Sequence, residues 1–113
     1  MNKDELVSGF LLELRRGTVI LCVLAKLRRS AYGYQLVADL AGTGLPVEAN
    51  TLYPLLRRLE AQGLLESRWD TGGAKPRKYY TATPLGLEVL EALKGHWQNT
   101  AQSLNAILEE EPS

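Results

Sequence analysis

Asn50-Thr51-Leu52-Tyr53-Pro54-Leu55-Leu56-Arg57-Arg58-Leu59-Glu60-Ala61-Gln62-Gly63-Leu64-Leu65 (residues 50–65) is a helix written with two faces and a stop signal. Leu52, Leu55, Leu56 and Leu59 recur at i, i+3, i+4 and i+7, one apolar stripe. Asn50 is a favoured N-cap, and Gly63 falls where a left-handed C′ residue is needed. Pro54 sits in the opening turn, where few intrahelical N–H bonds are lost. Thr51, Pro54, Arg57, Arg58 and Ala61 fall away from the leucines, so the basic pair points outward.

Upstream, the turn Gly42-Thr43-Gly44 with Pro46 separates this helix from another whose inner face is Leu36, Val37 and Leu40, entered through Ala31-Tyr32-Gly33-Tyr34. Before that, Thr18 reads as the N-cap of a buried helix over Val19–Leu27, apolar nearly all round. The first helix, Asp4–Leu14, carries Leu6, Phe10, Leu11 and Leu14 on one face. Downstream, Leu64–Trp69 and Lys78–Ala82 are strand-prone and flank Asp70-Thr71-Gly72-Gly73-Ala74, the loop of a hairpin.

Thr83 caps a last helix with Pro84 at its first position. From Pro84 to Glu110, Gly86, Leu90, Leu93, Trp97, Thr100, Leu104 and Ile107 alternate at four and three, a heptad seam. Such a helix is roughly 40 Å long, more than the preceding small domain can cover. The division expected is therefore a domain over 1–83 and a dimerisation helix over 84–113. The cheapest partner for the seam is a second copy, a twofold homodimer with the first helix packed on the last.

Composition excludes several classes. The 113 residues are 45% hydrophobic and 23% charged, an ordinary globular balance. No stretch has the roughly 20 apolar residues of a membrane span, the start Met1-Asn2-Lys3-Asp4-Glu5 lacks the order of a signal peptide, and the lone Cys22 fits a reducing compartment. A soluble, cytoplasmic protein with no membrane partner is expected. Thirteen basic and thirteen acidic groups cancel, which at first argues against nucleic acid. The distribution says otherwise. Residues 50–80 hold six basic and three acidic side chains, and residues 81–113 one and five. The basic group is Arg57, Arg58, Arg68, Lys75, Arg77 and Lys78.

A mainly α-helical chain with a small β-hairpin, arranged as helix, turn, helix with an outward basic face, and hairpin with a basic tip, is a winged helix-turn-helix. Its physics fits double-stranded DNA, because the major groove admits one α-helix while backbone-seeking groups fix its register. Asn50 and Thr51 are short hydrogen-bonding groups at a helix N-terminus that favours phosphate. Arg57 lies one or two turns on, and Lys75 and Arg77 flank the rigid Pro76 at the wing.

These residues make the chain recognisable. It resembles the PadR family of bacterial winged-helix transcriptional regulators over roughly residues 15–97. The matching segments are Arg16-Gly17-Thr18, Tyr32-Gly33-Tyr34-Gln35-Leu36, the whole of residues 50–65, Lys75-Pro76-Arg77-Lys78-Tyr79-Tyr80, and Thr83-Pro84-Leu85-Gly86. One long helix after the wing is similar to the compact branch. The resemblance implies a dimeric repressor on an inverted repeat in a promoter, with Thr51, Tyr53 and Arg57 on the DNA side of the recognition helix and Lys75 and Arg77 on the wing. Where many relatives have Gly-Arg-Pro-Arg, this chain has Ala74-Lys75-Pro76-Arg77, and lysine lacks the arginine fork. Some compact members bind flat hydrophobic compounds between subunits through an indole of the long helix, and Trp97 matches that point on the seam.

Blander roles stand beside these. Arg57 and Arg58 alone read as a solvated face, Tyr32 and Tyr34 as packing, Trp97 as dimer packing, and Trp69 as wing-to-core packing. Tyr79 and Tyr80 point to opposite faces of their strand, so at least one is core. Cys22 reads as a buried small apolar residue, and His96 as a surface side chain with no second ligand for a metal. No nucleophile, base and orienting group assemble from one Cys and one His, and no phosphate loop follows a strand, so neither catalytic residues nor a cofactor are expected. The rival reading is a winged-helix module that binds an acidic protein, without the salt dependence and palindrome preference of DNA readout.

Overall fold

The structure is a computed structural model that describes residues 1–112. Its elements run α1 (Lys3–Arg16), α2 (Val19–Lys26), β1 (Ala31–Tyr32), α3 (Gly33–Ala41), α4 (Ala49–Ala61), β2 (Leu65–Asp70), β3 (Arg77–Ala82) and α5 (Pro84–Leu108). The three strands form an antiparallel sheet in the order β1-β3-β2. The fold is the expected mainly helical winged helix-turn-helix with a long last helix. The core gathers Val23, Leu24 and Leu27 around α2, Leu36 and Leu40 of α3, the α4 stripe Leu52, Leu56 and Leu59, and Leu65, Tyr80 and Leu90.

Local signals explain most boundaries. α4 stops as expected: Gly63 has φ 81°, the Leu64 N–H donates to the Leu59 carbonyl and the Gly63 N–H to that of Glu60, a Schellman closure. Thr83 caps α5, its Oγ1 accepting from the Gly86 N–H at 3.0 Å while donating to the Gly63 carbonyl at 2.7 Å. One hydroxyl thus ties the end of α4 to the start of α5. Asn2 caps α1 by accepting from the Glu5 N–H.

Several expectations change. α4 begins at Ala49 with Glu48 as N-cap, so Asn50 and Thr51 lie inside its first turn and Pro54 in its second. Thr18 is in helical conformation and does not cap α2; its hydroxyl donates back to the Arg15 carbonyl. Only Val23 and Leu24 of α2 are buried, and Cys22 is half-buried. The short strand β1 carries no periodicity of its own and exists because Ala31 and Tyr32 pair with Tyr80 and Tyr79. α5 ends two residues earlier than Glu110.

The two long helices leave most of their apolar faces uncovered. α1 has no buried residue, and Phe10 is 64% exposed. On α5 the seam divides: Gly86 and Leu90 are buried against the chain's own domain, whereas Trp97, Leu104 and Ile107 are exposed. A Cβ on Gly86 would lie 2.1 Å from the Leu64 carbonyl oxygen, so that crossing requires glycine. The radius of gyration is 17.0 Å, against about 13 Å for a compact domain of this length.

Candidate nucleic-acid interface

α3 and α4 form the helix-turn-helix pair, and β2 with β3 the wing. The two helices meet closely at one glycine. A Cβ on Gly33, the first residue of α3, would lie 2.4 Å from Cε1 of Tyr53, so the Tyr53 ring lies here only because residue 33 has no side chain. Tyr53 is half-buried and packs against the core edge. It therefore positions α4 as well as facing the site.

A second tie joins α4 to both wing strands. One Glu60 carboxylate oxygen accepts from the Ser67 hydroxyl of β2, and the other lies 3.2 Å from Lys78 Nζ of β3. The Ser67 hydrogen bond, with help from Lys78, holds the Glu60 carboxyl below its usual range against partial burial. At Lys78 partial burial disfavours the charge, but Glu60 and Tyr80 outweigh it and the ammonium titrates above its usual range. Both groups are ionised at neutral pH.

Arg77 is held in a third way. It is the first residue of β3 rather than a loop residue, and its guanidinium carbon lies 4.7 Å from the centre of the Tyr32 ring. Tyr32 stacks on Tyr34 at 6.4 Å between centroids and meets Tyr79 edge-on at 5.5 Å. β1 brings Tyr32 opposite Tyr79 in register, so this strand builds the platform under Arg77. Tyr34, expected to pack, is 72% exposed.

These pieces line one continuous surface. A groove of about 340 Å³ between α4 and the wing is lined by Tyr53, Arg57, Trp69, Arg77 and Lys78 together with Tyr32 and Tyr34. A second groove shares Tyr32, Tyr34 and Arg77 and continues to Lys75 and Pro76 at the wing loop. Tyr53, Arg57 and Arg77 are thus brought together, with Lys75 at the far end. Asn50 and Thr51 are exposed on the first turn of α4, outside both grooves. No side chain caps that end of α4, which leaves its opening amides available to an anion. Asp70 is a carboxylate in the second groove, and its Oδ1 accepts from the Gly72 N–H within the turn.

Trp69 is the site residue that sequence reasoning misplaced. It is not packed into the core but 63% exposed, facing α4 across the groove. The alternation that put Leu65, Ser67 and Trp69 on one face was the available signal. α4 covers Leu65 and reaches Ser67 through Glu60, but Trp69 stays exposed in the groove beside it.

Trp97 lies apart from all of these. It lines an apolar groove of about 430 Å³ between α2 and α5 with Leu21, Cys22, Ala25, Leu45 and Leu90, rimmed by Arg28, Glu91 and Lys94. Burial pushes the Cys22 thiol up, so it is an apolar wall rather than a nucleophile. Among the described residues no group of three His, Cys, Asp or Glu side chains could hold a metal, and no helix is long and apolar enough to cross a membrane.

Comparison with known proteins agrees with this fold. The family model described as the transcriptional regulator PadR-like family matches residues 20–92. A transcriptional regulator of Mycobacterium tuberculosis is 38% identical over 79 residues, 69% of this chain and 74% of its own length. Among solved structures, a PadR family transcriptional regulator from Eggerthella lenta is 55% identical, with a TM-score of 0.91 over 96% of each chain. A PadR-like transcriptional regulator from Bacillus cereus is 29% identical, with a TM-score of 0.77 over 88% of this chain and 99% of the other.

Proposed function

The chain belongs to the PadR-like family of transcriptional regulators, and from that premise we propose that it is a homodimeric repressor that binds an inverted repeat in a promoter. The observation that carries this reading is the continuous basic and aromatic groove from Arg57 on α4 to Lys75 on the wing. Duplex DNA suits such a surface: α4 enters the major groove, Arg57 reaches a base edge or phosphate, and Asn50 and Thr51 meet the backbone at the helix N-terminus. Arg77, held on Tyr32, and Lys75 engage the adjacent backbone from the wing. The lysine does so as a point charge.

Two copies acting together set the spacing. In a twofold dimer the recognition helices enter successive major grooves about 34 Å apart, and occupancy of the promoter represses. The accessible surface of 8425 Å² supports a missing partner, since a compact monomer of this mass exposes about 6,200 Å². A planar hydrophobic ligand seated between the subunits relieves repression by changing the separation of the recognition helices. The apolar groove between α2 and α5 that Trp97 lines supports a small hydrophobic ligand beside this indole, its volume falling in the range of small-molecule sites.

Two experiments test the reading. Arg57→Ala and Lys75→Ala each weaken a gel shift on DNA selected by the protein from a random pool and lower the slope of log K against log salt by about one; unchanged binding by both refutes the site. In a Trp69→Phe background Trp97 is the remaining indole. Titration with a panel of planar aromatic compounds then quenches its fluorescence, and absence of quenching across the panel leaves Trp97 a packing residue.

A further inference from the structure

We propose that Trp69 is a direct DNA contact, its indole set against the sugar edge of the backbone strand that runs between recognition helix and wing. This rests on the DNA-binding reading above and adds to it a residue that supplies affinity without charge.

The placement follows from two registers. On β2, Leu65 is buried and Ser67 bonds Glu60, so this face of the strand looks at α4. Two residues further along the strand stands Trp69, and one turn back along the helix from Glu60 stands Arg57. The strand and the helix therefore bring Trp69 and Arg57 to the same groove, with Tyr53 a further turn back. Opposite Trp69 in the ladder is Lys78, whose ammonium is turned to Glu60 and the Tyr80 ring rather than to the indole.

A single exposed apolar side chain is ordinary on a protein surface, but this ring lies inside a concave surface whose rim carries Arg57 and Arg77. Those two charges attract a polyanion to the mouth of the groove. What arrives there is a duplex backbone, and its deoxyribose face is the apolar surface that an indole flanked by guanidinium groups can cover.

The signature differs from that of the basic residues. A ring that loses roughly 60 Å² of apolar surface to the duplex is worth about tenfold in affinity. Because no counterion is released by an uncharged side chain, its removal leaves the salt slope unchanged. The test uses full-length protein and a duplex that the protein itself recovers from a random-sequence pool. Trp69→Ala is expected to bind on the order of tenfold more weakly at every salt concentration with a parallel slope, whereas Arg57→Ala flattens the slope. In a Trp97→Phe background, fluorescence of the remaining Trp69 shifts and is quenched on addition of that duplex; thermal unfolding of Trp69→Ala checks its fold. If the duplex binds with Arg57 dependence but the Trp69 emission does not change, the proposal is overturned and the DNA reading stands. If no duplex is recovered from the pool, the DNA reading itself fails and takes the proposal with it.

Discussion

Gly86 and Gly33 are the positions where a single atom would reset the architecture. At Gly86 the obstacle is backbone: a Cβ would meet the Leu64 carbonyl oxygen, which is fixed by the hydrogen bond it accepts from the Thr83 N–H. Gly86→Ala should therefore destabilise the fold by about 3 kcal/mol, the upper range of overpacking, read as a lowered urea midpoint. At Gly33 the obstacle is the Tyr53 ring, which can swing away, so the same substitution acts on the site more than on stability. Neither constraint is legible in the sequence. Each glycine sits near a helix start, where glycine is unremarkable, and its neighbour comes from a segment about 20 residues away.

At the scale of elements, the two-bond tie of Glu60 to Ser67 and Lys78 keeps α4 and the wing in one orientation. The Glu60 carboxyl is held below its free value, so its contribution is present above the usual carboxylate range and disappears as pH falls through the lowered value. Lys78, held above its free value, contributes below the usual ammonium range and ceases to at high pH. Glu60→Gln should cost roughly 0.5 kcal/mol at pH 7, as partly exposed pairs do, and the difference from the parent protein should shrink as pH falls below the usual carboxylate range and through the lowered value. Thermal melts across pH check this. Helix and strand order were readable from spacing alone because α4, α5 and the hairpin each carry their own periodicity and stop signals. β1 was not, since two residues cannot show a period and their strand is defined only by the partner β3. The start of α4 moved by two residues because the backbone of Glu48, rather than that of Asn50, took the extended cap conformation, with no side-chain cap bond to mark it.

For the whole molecule, the uncovered faces of α1 and α5 argue for assembly. Val7, Phe10 and Leu14 on one helix and Leu104, Ile107 and Leu108 on the other are exposed in the single chain, a liability in water unless a second copy covers them. Light scattering at micromolar concentration should give twice the chain mass of 12.5 kDa, and Phe10→Glu with Ile107→Glu should reduce it to the monomer while leaving the helical circular dichroism of the core domain largely intact. A monomeric mass for the unmodified chain would sink the dimer. The charge segregation fits the same arrangement. The basic helix and wing lie at one part of the molecule, and α5, followed by Glu109 and Glu110, extends from it in a body 63 Å long.

By itself the sequence determined the class of fold and the location of the basic helix and wing, because both depend on local information: the leucine period of α4, the stop at Gly63, the cap at Thr83 and the cluster of Arg57, Lys75 and Arg77 within one segment. Tertiary structure alone decided which side chains share a surface. It seated Arg77 on Tyr32 across a strand pair, turned Tyr53 inward against Gly33, and used the first turns of α5 for the chain's own core. It left Trp69 in the open. Burial is a property of what lies opposite a residue, and a single chain's periodicity records that a face is apolar without recording how far its neighbour extends.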